Sequence, residues 1–405
     1  MSLSTLPLSY CTNVHPGKSV AEVISKLLEH TVPARQKLGQ KVAAGLWLAA
    51  SVIEELQQTP AGIAEIQQVL AEGDLVCYTL NAFPYGDFHR ERVKENVYLP
   101  DWSNPERTRY TKACARVLAQ LMPVGVEGSL STVPLGFKGF DHAEDFHSQC
   151  IRQLLELADY LDQLHDETGQ VIRLAIEPEP CCVLETTPEA LSFFDQLFAM
   201  AAQQQKLDMA QRHLGLCYDV CHQAVEFEAI DESVQQINQA GIRINKMHLT
   251  CAVQLRDPGN RESARKQLAT FVEPRYLHQV FARNRHGQLA HRLDLTQELC
   301  DQPEEPFRSA EAWRIHFHVP VHREQLGELE TTRSELKQGI AAAAKLDYAP
   351  HLEVETYTWG VMPGEKPAAL SDGLVSELSA TADLISAQRT MDSVPEVAPE
   401  NPVSE

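Results

Sequence analysis

The feature of this sequence that most constrains its fold is a regular alternation of short apolar runs with longer helical segments. Each apolar run has the length and composition of a buried β-strand, and each following segment places its apolar residues at the spacing of one helix face. This alternation is typical of parallel strands joined by crossover helices. Because eight such units fit a closed sheet better than an open one, we predict a (β/α)8 TIM barrel. The eight predicted strands are residues 8–11, 41–47, 75–80, 128–133, 171–176, 214–218, 244–249 and 351–355.

Helices are predicted between these strands from local start signals as well as from periodicity. Ser103 and Asn104 form a good cap pair before Pro105, which favours a helix over residues 105–122. Thr187 opens another helix. The other predicted helices cover residues 19–38, a segment from residue 51, residues 143–167 and residues 334–345.

One stretch interrupts the alternation. Residues 250–323 are too long for a single connection between a strand and a helix. We therefore predict an insertion after the seventh strand, at the end of the barrel that carries active sites. Within it, residues 271–283 are predicted as a helix and residues 313–319 as a strand. We predict a single domain over residues 1–386 and, because residues 387–405 are acidic and rich in proline, a disordered tail there.

Composition argues against several classes of function. The chain contains no run of about 18 apolar residues and no signal-peptide pattern, so we predict a cytoplasmic protein. Lys and Arg number 35 against 56 Asp and Glu, and the formal charge of −21 argues against nucleic-acid binding. The ten cysteines include no CxxC pair, which favours reduced core residues over a structural zinc site. Neither a Gly-rich phosphate-binding loop nor a GxSxG elbow occurs.

Acidic side chains follow the late predicted strands, at the end of a barrel where catalytic groups gather. Glu177 directly follows one strand, with Glu179 as a second candidate, and Asp219 follows the next. Glu353 and Glu355 share a face of the last strand. Glu355 is preferred because it is nearer to the strand end, and Glu353 is then a deeper ion-pair partner. The alternative for the first three is a helix cap or an ion pair with an arginine.

Histidines occur close to the same strand ends. His222 follows Asp219 by three residues, and His248 ends the seventh predicted strand. His316 and His318 alternate in IHFHV, so they share one face. One histidine suffices to complete a metal site, and hydrogen bonding to the backbone is the alternative role for the others. Three carboxylates and one imidazole suit Mn²⁺ or Mg²⁺, with Zn²⁺, Co²⁺ and Fe²⁺ also compatible.

The order of these residues, a Glu at a strand end, then Asp-x-x-His, His and Glu, resembles the xylose isomerase-like barrel superfamily. That superfamily includes sugar-phosphate isomerases and epimerases and the family-two apurinic endonucleases. The resemblance implies one divalent metal ion (Mn²⁺, Mg²⁺, Zn²⁺ or Co²⁺), with His222 facing the substrate. The implied ligands are Glu177, Asp219, Glu355 and either His248 or His318. The interval from Asp219 to His248 resembles the usual one, which favours His248. The segment after His318 resembles the one that usually follows the ligand histidine, which favours His318.

Six longer phrases carry a narrower resemblance across the whole chain. They are LSYCTNVHPG (8–17), LNAFPYGDFH (80–89), LAIEPEPCCVLETT (174–187), YDVCHQAVEFE (218–228), IHFHVPVH (315–322) and HLEVETYTW (351–359). With these phrases the chain resembles the EboE-type metabolite traffic proteins. The resemblance implies that the protein handles a secondary-metabolite precursor bound for the cell envelope, beside a prenyltransferase-like membrane partner.

Polar residues near other predicted strands could complete a pocket for a small molecule. Asn13 and His15 follow the first strand, and Asn81 and His89 follow the third. Together with His316, they are candidates for binding substrate hydroxyl groups. The equally weighted alternative is that they form hydrogen bonds that stabilise loops.

The expected chemistry is proton transfer at a carbon next to a carbonyl group, which isomerises or epimerises a polyhydroxy compound. One carboxylate, Glu177 or Glu355, would remove the proton and the other would return it, while the metal polarises the substrate oxygens. A non-catalytic carrier that uses the same pocket is the alternative, so whether the protein is an enzyme stays open. A phosphodiesterase of the endonuclease type is less favoured, because it needs further metal ions and a basic groove.

Overall fold

The computed structural model of the chain describes residues 3–59, 61–364 and 369–393. Its strands fall into one parallel sheet, which uses the first eight strands and the last, and one antiparallel sheet between them. In chain order the strands are β1 (Ser9–Cys11), β2 (Val42–Trp47), β3 (Leu75–Val76), β4 (Thr79–Asn81), β5 (Gly128–Thr132), β6 (Ile172–Ile176), β7 (Leu214–Asp219), β8 (Ile244–Leu249), β9 (Val253–Arg256), β10 (Val280–Arg283), β11 (Leu289–Arg292), β12 (Ala312–Ile315), β13 (Gln325–Leu326), β14 (Leu329–Thr331) and β15 (His351–Val354).

The parallel sheet closes into a barrel of eight staves. β1 pairs with β15 on one side and with β2 on the other, so the sheet has no open edge there. β3 and β4 both pair with β2 and together form the third stave, which is interrupted between Val76 and Thr79. The predicted fold class is confirmed, and each predicted barrel strand corresponds to one stave. Almost every residue of the staves is buried, which explains why most of them are apolar runs, whereas β5 (GSLST) and β8 (INKMHL) also bury polar side chains.

Helices surround the barrel and follow the strands in the predicted alternation. They are α1 (Val20–Lys26), α2 (Val32–Leu38), α3 (Ala50–Gln58), α4 (Ala61–Glu72), α5 (Pro105–Leu121), α6 (Phe146–Thr168), α7 (Thr187–Gln203), α8 (Leu207–His213), α9 (Val220–Val225), α10 (Ile230–Gln239), α11 (Glu262–Leu268), α12 (Gln297–Asp301), α13 (Arg333–Ala344) and α14 (Leu370–Ser393). A π-helical turn, Leu27–Thr31, joins α1 to α2 where one helix was predicted. At α5, the Asn104 side chain caps the helix by accepting from the Glu106 N–H at 2.9 Å, as predicted. No helix of the described residues combines the length and apolar character needed to cross a membrane.

The segment between β8 and α13 forms the second sheet, with the strand order β11-β10-β12-β9-β14-β13. It enters the sheet at Val253 and leaves it at Thr331, and these two residues are paired across neighbouring strands. The predicted helix over residues 271–283 is wrong. That segment contains Pro274, which cannot donate in a helix interior, and it ends in β10. The predicted strand 313–319 is correct only at its start, because β12 ends at Ile315.

The C-terminal helix corrects the predicted tail. α14 extends to Ser393, so residues 387–393 are helical, and residues 394–405 lie outside the described residues. No proline interrupts the sequence from Leu370 to Ser393, which is compatible with a helix over this whole stretch.

Candidate metal centre

Four of the predicted ligands converge at the mouth of the barrel. Glu177 directly follows β6, Asp219 ends β7, His248 lies in β8 and Glu355 directly follows β15. Each is buried, with no more than 5% of its surface exposed. One ligand atom from each of the four lies within 4.8 Å of those of the others. Adjacent parallel strands end at the same rim, which is why residues so distant in sequence meet here.

The imidazole of His248 lies at the centre of this group. Its Nδ1 atom is 2.9 Å from Glu177 Oε1, 3.2 Å from Glu355 Oε2 and 3.5 Å from Asp219 Oδ2. Burial opposes the charged form of His248, but the surrounding anionic groups, Glu177 and Glu355 among them, raise its pKa well above the usual value. The group is therefore strongly anionic around one imidazole.

The donor set fits a divalent cation. Asp219 Oδ1 accepts from the His222 N–H at 3.1 Å and from the Thr250 hydroxyl at 2.6 Å, whereas its Oδ2 atom is buried with no hydrogen-bond partner. Among the described residues, the ion pairs of Glu177, Asp219 and Glu355 are with histidines and not with arginine or lysine. Buried carboxylates in this state are costly unless a cation joins them. Three carboxylates with one imidazole suit Mn²⁺ or Mg²⁺, and Zn²⁺ or Co²⁺ can also bind such a set.

The Glu355 carboxylate is held in place by two amides. Asn13 and Asn81 donate to its Oε1 atom at 2.8 and 2.9 Å, which leaves Oε2 turned towards His248. Burial raises the pKa of Glu355 to about 7, with Glu177 and Asp219 adding to the effect and His248 opposing it. In the sequence Asn13 and Asn81 were candidates for substrate binding. In the structure they line the cavity and also fix the orientation of a predicted ligand.

His248 and His318 take different positions. His248 completes the group with the three carboxylates, whereas His318 forms a second group with Asp219 and His222. His318 Nδ1 is 2.8 Å from the main-chain oxygen of Glu355, so it is oriented by the backbone just after β15. The sequence left His248 and His318 as alternative ligands. In the structure His248, and not His318, belongs to the group with the three carboxylates, so the geometry favours His248 as the ligand.

Glu353 precedes Glu355 by two residues and lies below the metal centre, inside the barrel. Its Oε1 atom is 2.6 Å from Lys246 Nζ and 3.3 Å from His248 Nε2. Ser9 donates its hydroxyl to Glu353 Oε2 at 2.6 Å. The sequence suggested a deeper ion-pair partner role for Glu353 but did not identify Lys246. A lysine inside an apolar strand pattern was the available signal, because a buried cation needs a buried anion.

A cavity opens above the four residues. It encloses about 510 Å³ of space free of protein atoms, part of which is open to solvent. Its polar lining includes Asn13, Asn81, Glu177, Glu179, His222, His316, His318 and Glu355. Its apolar and aromatic lining includes Phe83, Phe88, Tyr98, Tyr276, Leu277 and Tyr357. The cavity therefore has a polar, ionisable part and an aromatic wall.

Two of the predicted substrate-binding residues lie outside the cavity lining. His89 Nε2 is 2.8 Å from the main-chain oxygen of Asn13, and its ring packs against Trp47. His15 is buried against His30, and burial, with His30 next, lowers the pKa of His15 to about 3. For these two residues the geometry favours the alternative of loop stabilisation. His316, by contrast, does line the cavity.

A hydrogen-bonded chain near the cavity was not found from the sequence. Tyr98 donates to Glu179 Oε1 at 2.6 Å, and Gln279 donates to the Pro180 main-chain oxygen at 3.0 Å. Burial raises the pKa of Glu179 to about 7. Tyr98 comes from the long loop after the third stave and Gln279 from the insertion, and neither position carries a motif. Only the unusual length of both segments indicated that they could reach the site.

No protein-family model and no curated protein matches the sequence. Among solved structures, the chain is similar to a xylose isomerase-like TIM barrel protein from Mycobacterium smegmatis in complex with magnesium. The TM-score is 0.53 and the identity 12%, with 96% of this chain and 99% of that chain covered. It is also similar to L-ribulose 3-epimerase, with a TM-score of 0.51, 10% identity and coverage of 97% and 99%. A D-tagatose 3-epimerase-like protein gives a TM-score of 0.50, 11% identity and coverage of 96% and 100%. At these identities the likeness concerns the fold, and the chain has the (β/α)8 fold of xylose isomerase-like barrels.

Proposed function

We propose that the protein is a metal-dependent isomerase or epimerase that acts on a small polyhydroxy carbonyl compound. The observation that carries the proposal is the convergence of Glu177, Asp219, His248 and Glu355, all buried, beneath a cavity that Glu177 and Glu355 help to line. The unpartnered Oδ2 atom of Asp219 supports a cation at this place. L-ribulose 3-epimerase and the D-tagatose 3-epimerase-like protein, which share the fold, support the choice of reaction class.

The same four residues would hold the metal ion. When bound, a divalent cation there supplies Lewis acidity that polarises the carbonyl and hydroxyl oxygens of a substrate. The pair of amides on Glu355 Oε1 keeps that carboxylate from turning away from the cavity. On the other side of the His248 ring, the Glu353 carboxylate lies 3.3 Å from Nε2.

The proton transfer falls to two carboxylates of the cavity. Glu177 and Glu355 both line it, so a substrate carbon placed between them has an acceptor on one side and a donor on the other. His222 also lines the cavity and donates Nδ1–H to the Pro178 main-chain oxygen at 2.9 Å, so Nε2 can accept from a substrate hydroxyl group. Tyr98 and Tyr276 line the apolar side of the cavity.

The test is isotope exchange in deuterium oxide with metal-loaded protein. A panel of ketoses that includes L-ribulose and D-tagatose is incubated with the Mn²⁺ form, and deuterium incorporation next to the carbonyl carbon is followed by NMR. We expect exchange with at least one sugar, and we expect Glu177→Gln and Glu355→Gln each to lower the rate by 100-fold or more, the order expected when an acid–base group is lost. Glu232→Gln, an exposed carboxylate on α10, is the matched control and should leave the rate unchanged.

A carrier for a metabolite is the second candidate, and the aromatic wall of the cavity favours it. The Phe83 and Phe88 rings offer no hydrogen bonds to a fully hydroxylated sugar, but with the ring of Tyr357 they suit the apolar part of a larger precursor molecule. This matches the metabolite-traffic role and the membrane partner that the EboE-type resemblance implies. Calorimetry separates the two candidates. A ligand that binds without deuterium exchange supports the carrier, and a panel in which nothing binds the metal-loaded protein contradicts the isomerase.

A further inference from the structure

The cavity above the candidate metal centre is largely closed to solvent. Among the described residues that line it, all except Val97 and Tyr357 are buried. Even Phe88 and Leu277, on its apolar side, are each only 7% exposed. Solvent therefore reaches little of the cavity wall, and a sugar or a larger precursor can enter only if part of that wall moves.

Residues 90–97, which we call the flap, form a part of the wall that has space on both of its sides. Val93, Lys94 and Val97 line the cavity. Val93 and Val97 also line an outer groove, which encloses about 590 Å³ of space free of protein atoms, part of it open to solvent. The flap thus separates the cavity from the groove and has room to move outwards.

The chain is fixed on both sides of the flap. Before it, His89 Nε2 lies 2.8 Å from the main-chain oxygen of Asn13. After it, the fully buried Tyr98 donates to Glu179 Oε1 at 2.6 Å. Residues 90–92, by contrast, are exposed. A short, exposed segment between two fixed ends can open locally while the barrel stays folded.

The side chain of Lys94 fastens the flap to the inserted segment. Its Nζ atom donates to the main-chain oxygens of Glu273 and Tyr276 at 3.2 and 2.6 Å. The same atom donates to Asp294 Oδ2 at 2.6 Å. An ammonium group has three hydrogens, so these three acceptors use all of them. Each bond involves a charged donor, which makes it stronger than a bond between neutral groups.

The backbone of the flap adds two weaker attachments. The N–H groups of Val93 and Lys94 donate to the main-chain oxygen of Arg275 at 2.8 and 2.9 Å. Within the described part of the chain, every hydrogen bond between the flap and the inserted segment therefore comes from these two residues. Lys94 has a φ angle of 42°, in the left-handed region that residues other than glycine seldom adopt. This strain favours opening once the side-chain bonds are lost.

We propose that the flap is the gate of the cavity and that Lys94 is its latch, a positioning residue that keeps the gate closed. When the Lys94 ammonium leaves its three acceptors, the flap moves towards the outer groove and the cavity opens. The proposal does not depend on the isomerase reaction, since a carrier would also have to admit its ligand through this wall.

The test measures access to the cavity with a thiol placed in its wall. Leu277→Cys introduces this thiol, and the native cysteines are all buried, so they should react slowly. The full chain is treated with iodoacetamide, and the modified fraction is followed by mass spectrometry of the intact protein and of its peptides. We expect slow labelling of Cys at this position, and we expect Lys94→Met in the same background to accelerate it about 10- to 100-fold. Loss of charge-assisted hydrogen bonds changes a local opening equilibrium by about this factor.

Two further variants serve as comparisons in the same Leu277→Cys background. Asp294→Asn leaves Lys94 its two main-chain acceptors, so labelling should accelerate less than with Lys94→Met. Lys112→Met removes a lysine from a pair with Glu156 that joins α5 to α6 on the outside of the barrel, and labelling should stay at the parent rate. Amide hydrogen exchange should accelerate in the flap of Lys94→Met and stay unchanged in the barrel strands, which separates local opening from general destabilisation.

Three results would overturn the proposal. Labelling of the Leu277→Cys parent as fast as that of a free cysteine would show that the cavity is already open. A Lys94→Met variant that is labelled at the parent rate would show that Lys94 is not a latch. Equal acceleration of hydrogen exchange in the flap and the barrel strands would show that Lys94 stabilises the whole fold. Deuterium exchange into sugars is scored separately, so failure of the isomerase proposal and failure of this one remain distinguishable.

Discussion

At the scale of single residues, the ion pair inside the barrel is the feature whose burial would be most costly if either charge were missing. Lys246 and Glu353 are both fully buried, with Nζ and Oε1 2.6 Å apart, and Lys246 also donates to Ser131 Oγ at 3.2 Å. Burial alone would raise the pKa of Glu353, but Lys246 and His248 bring it down to about 2. The pair thus keeps an anion 3.3 Å from His248 Nε2, a nitrogen that is buried and has no hydrogen-bond partner.

Lys246→Met tests this ion pair. The variant leaves Glu353 buried without its cation, and breaking a buried pair in this way costs about 3–5 kcal/mol. We expect a loss of that size in the free energy of unfolding, measured by urea titration. Lys266→Met removes a lysine from an exposed pair with Glu262 on α11 and should change it little. Equal losses for the two variants would show that the buried pair has no special weight.

Gly45→Ala tests the space around the same pair. A Cβ atom added at Gly45 on β2 would lie 1.6 Å from Glu353 Oε2 and 2.9 Å from Ser9 Oγ, so the Glu353 carboxylate must change its position relative to Lys246 and His248. We expect lower stability together with weaker Mn²⁺ binding, measured by calorimetry. Gly86→Ala adds a Cβ atom that meets nothing within 4 Å and is the control. Unchanged metal affinity in a folded Gly45→Ala protein would contradict a role for Glu353 in holding His248.

The sequence could identify the upper layer of this site but not the lower one. Glu177, Asp219 and Glu355 follow apolar strands, and strand ends meet at one rim in any closed parallel barrel. The pairing of Lys246 with Glu353 depends on the register between β8 and β15, in which Lys246 lies opposite His351 and His248 opposite Glu353. A sequence does not state that register, so the partner of Glu353 could not be named.

At the scale of elements, Arg314 attaches the inserted sheet to the barrel. From β12 it donates to the main-chain oxygen of Ala224 at the end of α9 at 2.7 Å, pairs with Glu335 on α13, and lies 4.4 Å above the ring of Phe227. Its Nε atom donates to Gln254 on β9 at 2.8 Å. One buried guanidinium therefore joins the strand that precedes His316 to two helices of the barrel.

Arg314→Met should loosen this attachment. The variant leaves the Glu335 carboxylate and the Ala224 oxygen without their donor, at a cost of about 3 kcal/mol. We expect amide exchange in β9, β10 and β12 to accelerate on the order of 100-fold while the barrel strands stay protected. Arg256→Met, which removes an exposed pair with Glu330 in the same sheet, is the control. Equal acceleration throughout the chain would contradict a local role.

The elements of the barrel could be predicted more completely than those of the insertion. Barrel strands are buried on both faces, so most of them are apolar runs that differ clearly from the neighbouring sequence. The inserted strands are short, and β11 is largely exposed, so their sequences lack both a continuous apolar run and a clear alternation. In residues 271–283, Tyr276, Val280 and Phe281 have the spacing of apolar residues on one face of a helix. In the structure Tyr276 lies in a loop, and Val280 and Phe281 lie in β10.

At the scale of the whole molecule, Glu377 joins α14 to two other segments of the chain. Its carboxylate accepts from Thr356 Oγ1 at 2.6 Å, from Trp359 Nε1 at 2.8 Å and from the Val321 N–H at 3.2 Å. These partners belong to the chain after β15 and to the chain that returns from the insertion. Burial raises the pKa of Glu377 to about 7, and the hydrogen bonds oppose this rise only in part.

This carboxyl group gives the protein a predictable pH response. Between pH 4.5, the usual pKa, and about 7, the folded state keeps the Glu377 proton that the unfolded state has lost. The free energy of unfolding therefore falls as the pH rises through this window. We expect Glu377→Gln to remove this part of the pH dependence. The free energy of unfolding of the variant, measured by urea titration, should therefore rise relative to that of the wild type between pH 4.5 and 7. Glu232→Gln controls for the change of one charge, and a parallel pH course for wild type and Glu377→Gln would contradict the assignment.

The global fold was the best-predicted feature because closure needs only the number and order of the strands. The C-terminal helix was not predicted, because the acidic composition near the end of the chain is typical of a disordered tail. In the structure α14 continues through residues 387–393 and contributes Glu377 to the packing near the site.

The neighbouring positions of Val253 and Thr331 have a practical consequence. The inserted sheet begins at Val253 and ends at Thr331, and these two residues are paired on adjacent antiparallel strands. A segment that replaced the insertion would therefore need to span only about 5 Å between its two ends. Segments of different length could therefore replace the insertion without changing the geometry of the barrel strands. Chimeras made at this junction would keep the barrel and exchange the inserted segment, whose Tyr276, Leu277, His316 and His318 line the cavity.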